Sequence, residues 1–135
     1  MEMVLHLPWP PSVNHYKQVG AIVRTKTGKL YQKRINKTVT VGFYYNAYVE
    51  AKKVMPLEWA SVARSDAVMF GVRVCLHPPD NRRRDIDNGL KVILDSLVHA
   101  HVIHDDSQIT RLLVQKLDII KPGKVIVTIE PIGEF

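Results

Sequence analysis

Asp87-Asn88-Gly89-Leu90-Lys91-Val92-Ile93-Leu94-Asp95-Ser96-Leu97-Val98-His99-Ala100 is the stretch that decides the fold. Leu90, Ile93, Leu94, Leu97 and Val98 recur at i, i+3, i+4, i+7 and i+8, which predicts a helix from Asp87 to Ala100. Its apolar stripe must face a core or a partner. Asp85 or Asp87 can cap its start, where a carboxylate meets unpaired N–H groups. Before it, Ala67 to Leu76 reads as a strand with Val68, Phe70, Val72 and Val74 on one face, ended by Pro78 and Pro79. After it, Ile109 to Ile120 and Lys124 to Ile132 are β-rich and flank Lys121-Pro122-Gly123-Lys124, a hairpin signal.

Further out, Met3 to Leu7 reads as a short strand stopped by Pro8. Thr40 to Val54 predicts a second helix, with Val41, Tyr44, Tyr45, Tyr48 and Ala51 near helical spacing and Pro56 beyond its end. Asn14 to Lys37 is polar, carries Gly20 and Gly28, and reads as a long mobile loop. The order β-α-β-α-β-β predicts an α/β (α+β) fold: one small two-layer domain over residues 1–135, with a mixed sheet of about four strands and two main helices.

The chain has 135 residues, 46% of them hydrophobic, which suits one globular core. A single cysteine, Cys75, excludes an intrachain disulfide framework and a Cys-rich zinc module. With no apolar run of about 18 residues, no membrane span is expected, and a cytoplasmic place is. The net charge is +6, and it is concentrated. Asn14 to Lys53 holds nine basic residues against the single acid Glu50, a surplus of +8 that leaves the remainder at −2. Arg82-Arg83-Arg84 is a second basic knot. Such separation suits a protein that grips phosphates with one region and does chemistry with another. A merely solvated basic face has the same composition.

The acids that could do chemistry are Asp85, Asp87 and the pair Asp105-Asp106. Carboxylates about 4 Å apart repel by about 4 kcal/mol at an effective dielectric near 20, so a proton or cation must sit between them. Oxygen-only ligands favour Mg²⁺, with Mn²⁺ as a substitute, over Zn²⁺. Lys91, four residues after Asp87, could neutralise charge on a reacting phosphate, and Asp95 could support it. The plainer alternative is a helix cap at Asp85 or Asp87 and an i,i+4 pair between Asp87 and Lys91. His99, His101 and His104 do not share one helical face, so no zinc site is expected.

These residues have a known counterpart. Leu7-Pro8-Trp9-Pro10-Pro11-Ser12-Val13-Asn14 resembles the opening motif of the RusA family of Holliday junction resolvases. Arg83-Arg84-Asp85-Ile86-Asp87-Asn88, followed by Lys91, Asp95 and Asp105-Asp106, resembles its central signature, in the same order along the chain. The resemblance implies a homodimeric, Mg²⁺-dependent endonuclease that cuts four-way DNA junctions, with an expected preference for CC dinucleotides. It implies that Asp85, Asp87 and Asp106 hold the metal and that Lys91 is the catalytic lysine, with Asp105 the alternative to Asp106. Asn14, Lys17, Arg82, Arg83 and Arg84 are then expected on the DNA, with Asn88, Asp95 and Asp105 in supporting positions. The segment from Val19 to Met69 departs from the family's better-known members. The alternatives left open are a non-catalytic junction-binding module whose acids are caps, and a nuclease acting on forks or flaps.

Overall fold

A computed structural model of the chain describes residues 1–12, 17–24, 26–36 and 38–134, with 17–24, 31–36 and 134 described in their backbone. The elements run β1 (Met3–Pro8), β2 (Lys17–Arg24), β3 (Leu30–Asn36), α1 (Thr38–Val54), α2 (Trp59–Arg64), β4 (Val68–His77), α3 (Leu90–His99), a 3₁₀ turn at Asp106–Gln108, β5 (Ile109–Lys116) and β6 (Lys124–Glu134). Four strands form one sheet in the order β1-β6-β4-β5. β6 runs antiparallel to β1 and β4, and β5 runs parallel to β4, so the sheet is mixed, as expected.

The core lies on one face of that sheet. Met3, Leu5 and Leu7 of β1, Val72, Val74 and Leu76 of β4, and Val125, Val127 and Ile129 of β6 are buried at alternate positions, as the period of a pleated strand demands. Val92, Ile93, Ser96 and Leu97 of α3 and Phe43, Tyr44 and Ala47 of α1 cover them. Among the described residues no helix is long and apolar enough to cross a membrane.

Five expectations need correction. The stretch read as a long loop holds an antiparallel ribbon, β2 paired with β3, turned through Gly28 at φ +86°. A two-stranded ladder satisfies its own backbone groups, so polar composition does not prevent it. The main helix begins at Leu90, not Asp87: Gly89 is its N-cap, no side chain caps it, and Asp85 and Asp87 instead give their backbone carbonyls to Asn88 N–H and Leu90 N–H. Neither acid is therefore a cap. The buried stripe of α1 is Thr40, Phe43, Tyr44, Ala47 and Ala51, one residue round from the expected one, leaving Val41, Tyr45 and Tyr48 exposed. Small Ala47 and Ala51 let the helix approach the core beside Phe43 and Tyr44.

The fourth correction concerns Lys121–Lys124, which is not a hairpin between neighbours. Leu117 N–H bonds to Leu76 O and Ile120 N–H to Pro78 O, so the chain passes over the end of β4 and returns on its other side. The Lys121–Pro122 bond is cis, and Gly123 sits at φ +103° with its Cα hydrogen facing Trp9; a Cβ there would lie 2.7 Å from Trp9 Cβ. The fifth is α2, which has no counterpart in the expected order. Its six residues are too few to show a period, and its anchor is the fully buried Trp59, whose Nε1–H bonds to Val102 O at 2.7 Å.

Candidate active site

The loop from Asp80 to Gly89 carries two of the expected acids, and five contacts fix it. Asp80 Oδ1 accepts from Arg84 Nη1 at 2.8 Å and from the Arg82 backbone N–H at 3.0 Å. The Arg84 guanidinium beside Asp80 holds that carboxyl below its usual value. The same guanidinium lies 5.6 Å from the Trp9 ring centroid, a cation–π distance. Lys116 Nζ, at the end of β5, donates to Arg84 O at 2.9 Å. Gly89 abuts Pro10 so closely that a Cβ would stand 2.5 Å from Pro10 Cγ. The opening motif and the central block thus form one unit, joined at Trp9–Arg84 and Pro10–Gly89.

The second half of the site comes from the chain reversal after α3. His101, at φ +60°, turns the backbone, and Val102 and Ile103 N–H both return to Leu97 O. Gln108, buried, then locks the loop. Its Oε1 accepts from His104 N–H at 2.8 Å and Asp105 N–H at 3.1 Å, and its Nε2 donates to Ala63 O, Ser65 O and Val68 O. Asp105 is the N-cap of the 3₁₀ turn, accepting from the Ser107 hydroxyl and amide, and these bonds hold its carboxyl below the usual value. Asp106 faces the other way, with Oδ2 at 3.6 Å from Lys91 Nζ, which also contacts Asp95 at 3.1 Å. Asp95 first, then Asp106, raises the Lys91 ammonium above the ordinary lysine value.

The expected residues are therefore brought together in part. Lys91, Asp95 and Asp106 form one linked group at the start of α3, and Asp85 and Asp87 lie in the turn just before it. Asp85, Asp87 and Asp106 are all exposed, and no ion pair among the described residues engages Asp85 or Asp87. Among the described residues no three acidic, His or Cys side chains converge tightly enough to hold a metal ion. The donor set fits a hard divalent cation in kind, being carboxylate oxygen throughout.

Of the expected DNA contacts, Asn14 lies outside the described residues and Lys17 opens β2 with only its backbone described. The Arg82 side chain is 81% exposed and Arg83 is exposed, whereas Arg84 is 18% exposed and held by Asp80. Sequence reasoning missed Trp9, Asp80, Gln108 and Lys116 as parts of this site. Two local signals were there to read: the four-residue spacing of Asp80 and Arg84, and the Asp105-x-x-Gln108 spacing of a capping box.

The model of the Endodeoxyribonuclease RusA family matches residues 6–130. The crossover junction endodeoxyribonuclease RusA of Shigella sonnei is 30% identical over 129 residues, covering 94% of this chain and 92% of that protein. The one from Escherichia coli K12 has the same identity and coverage, and that of Enterobacteria phage 82 is 29% identical over the same shares. With the two signature blocks joined at one site, the chain belongs to the RusA family of endodeoxyribonucleases.

Proposed function

We propose that this chain is a Holliday junction resolvase, cutting four-way DNA junctions by paired symmetric nicks in recombination and repair, in the cytoplasm where bacterial and phage DNA lies. The observation that carries the reading is the 3.6 Å approach of Asp106 to Lys91, which joins the acid after α3 to the lysine at its start. A helix cap or an i,i+4 pair along one helix would not require the chain to fold back there.

Asp85, Asp87 and Asp106 would hold the divalent cation, Mg²⁺ with Mn²⁺ as substitute. Bound there, it supplies water activation and stabilises the entering and leaving oxygens of a phosphodiester. The chain's own residues do the rest. Lys91, with its raised pKa, stays an ammonium at neutral pH and faces the charge that develops on the phosphate. Asp95, at 3.1 Å on the same helix, keeps that ammonium in place. Arg82, Arg83 and the basic stretch from Asn14 to Lys53 would supply phosphate contacts, and Asp80, Arg84 and Trp9 hold the Asp85 turn in position. Two chains related by a two-fold axis match the two-fold symmetry of a junction, so paired nicks follow from a homodimer.

The test is cleavage of a synthetic four-way junction with Mg²⁺, with EDTA, and by Asp87→Asn. Cleavage is expected only in the first case, leaving 5′-phosphate and 3′-hydroxyl ends, while Asp87→Asn still binds the junction. Persistent cleavage by Asp87→Asn would remove Asp87 from the metal set. Preferential cutting of forks or flaps would replace the junction as substrate. Light scattering should give about twice 15.4 kDa.

A further inference from the structure

A cavity of about 110 Å³ opens beside Asp85, between the opening motif and the central block. Its walls are Trp9, Pro10, Leu76 and Ile86, with Ser12 and Lys116 adding polar atoms. The Ser12 hydroxyl oxygen is buried and, among the described residues, has no hydrogen-bond partner. Buried hydroxyls are normally satisfied, so this one stands out as a group that an occupant of the cavity can complete. Lys116 gives one N–H to Arg84 O, and an ammonium carries three.

The chemistry of this cavity selects its occupant. Aromatic, proline and aliphatic walls suit a flat ring, and a hydroxyl with an ammonium suits a ring whose edge carries acceptors. A phosphate is disfavoured: the Asp85 carboxylate lines the same space, and the Arg84 guanidinium is already paired with Asp80 at 2.8 Å. A nucleobase has the right shape and edge, and it reaches such a pocket only when it leaves its stack. That costs least where pairing and stacking are already interrupted, as at the point of strand exchange. Resting on the junction reading above, we infer that this cavity receives one unstacked nucleobase next to the scissile phosphate, with Ser12 and Lys116 on its edge.

The experiment is photocrosslinking of the full chain, in EDTA, to four-way junctions carrying 5-iodouracil singly at each position around the crossover, with a gel shift of the same junctions alongside. One position next to the cleavage site should crosslink, and the adduct should map to Trp9, Ser12 or Ile86. Ser12→Leu, which fills the cavity, should lower that yield about tenfold while the junction is still shifted. Ile86→Trp, at a surface position that is 44% exposed and so safe for folding, should lower it likewise by narrowing the mouth. Tight junction binding with adducts only elsewhere, or full yield in both variants, would overturn the pocket and leave the resolvase reading standing. Absence of junction binding would overturn both.

Discussion

Lys91 Nζ stands 3.6 Å from Asp106 Oδ2, while the neighbouring Asp105 turns away to cap the 3₁₀ turn through Ser107. Two adjacent aspartates thus have opposite employments, and isosteric amides distinguish them. Asp106→Asn removes a charge from the site and should lower junction cleavage by about 100-fold or more, with binding retained. Asparagine caps nearly as well as aspartate, so Asp105→Asn should cleave within about threefold of the wild type. Single-turnover rates on a labelled junction decide it. A reversed order of the two variants would move the metal ligand to Asp105.

The Lys91 ammonium is raised chiefly by Asp95, so its pKa lies above 10.5 in the folded chain. A group raised on folding stabilises the fold fully below its unfolded value, and that contribution is lost as pH climbs through the folded one. No limb in the pH–rate profile near neutrality should therefore come from Lys91, and any alkaline limb it gives should move to lower pH in Asp95→Asn. Asp95→Asn should lower the Lys91 pKa toward the ordinary value, read by NMR on labelled lysine side chains. An unmoved lysine would mean that Asp106 alone sets it. Lys91→Met should lose cleavage by about 100-fold without losing the junction.

Legibility followed the reach of each interaction. On α3 only Ile93 and Leu97 of the expected stripe are buried, with Val92 and Ser96 beside them and Leu90, Leu94 and Val98 at the margin of the core. The face of β4 was readable because its period and its burial agree along one element. The inward face of α1 was not, because the bulky Tyr45 and Tyr48 carry the expected period while Thr40 and Ala47 are the ones buried. The β2–β3 ribbon escaped because a backbone ladder leaves little mark in composition. In the site, Asp85, Asp87, Lys91 and Asp106 stood out by spacing and by family pattern. Trp9 and Lys116 act on residues far along the chain, and no local pattern marks such a partner, whereas Gln108 carries the capping-box spacing to Asp105 but no sign of its bonds to Ala63, Ser65 and Val68.

Gln108 ties the loop bearing Asp106 to the end of α2 and the start of β4 through five contacts. Gln108→Leu keeps the bulk but leaves backbone groups of His104, Asp105 and Ala63 unpaired. Its cost should be about 2–4 kcal/mol, measured by urea unfolding. Cleavage should fall further than the unfolded fraction explains, because Asp106 loses its support. A variant as stable and as active as the wild type would show that the loop holds itself.

Two glycines should respond to alanine with opposite signs. A Cβ at Gly89 would meet Pro10 Cγ at 2.5 Å, whereas one at Gly42, inside α1, would meet nothing within 4 Å. Gly89→Ala must push the opening motif from the helix start and should cost about 1–3 kcal/mol, with reduced cleavage. Gly42→Ala should stabilise by about 0.5–1 kcal/mol through helix propensity, with cleavage unchanged. Thermal unfolding of the pair checks both, and equal shifts would deny the contact between motif and helix.

Arg82 and Arg84 share Asp80 but not exposure: their side chains are 81% and 18% exposed. Arg82 meets Asp80 only at 3.5 Å and from an exposed position from which it can turn to a phosphate, whereas Arg84 is held at 2.8 Å by Asp80 and lies over Trp9. Arg82→Ala should therefore weaken junction binding and reduce the log–log salt slope by about 0.9, one released counterion, without altering the unfolding midpoint. Arg84→Ala should lower the midpoint and cleavage together, because it frees the turn that carries Asp85, and should leave the salt slope near its wild-type value. Binding isotherms across a salt series, run beside thermal melts, separate the two roles. A slope reduced by Arg84→Ala at constant stability would make that guanidinium a phosphate contact.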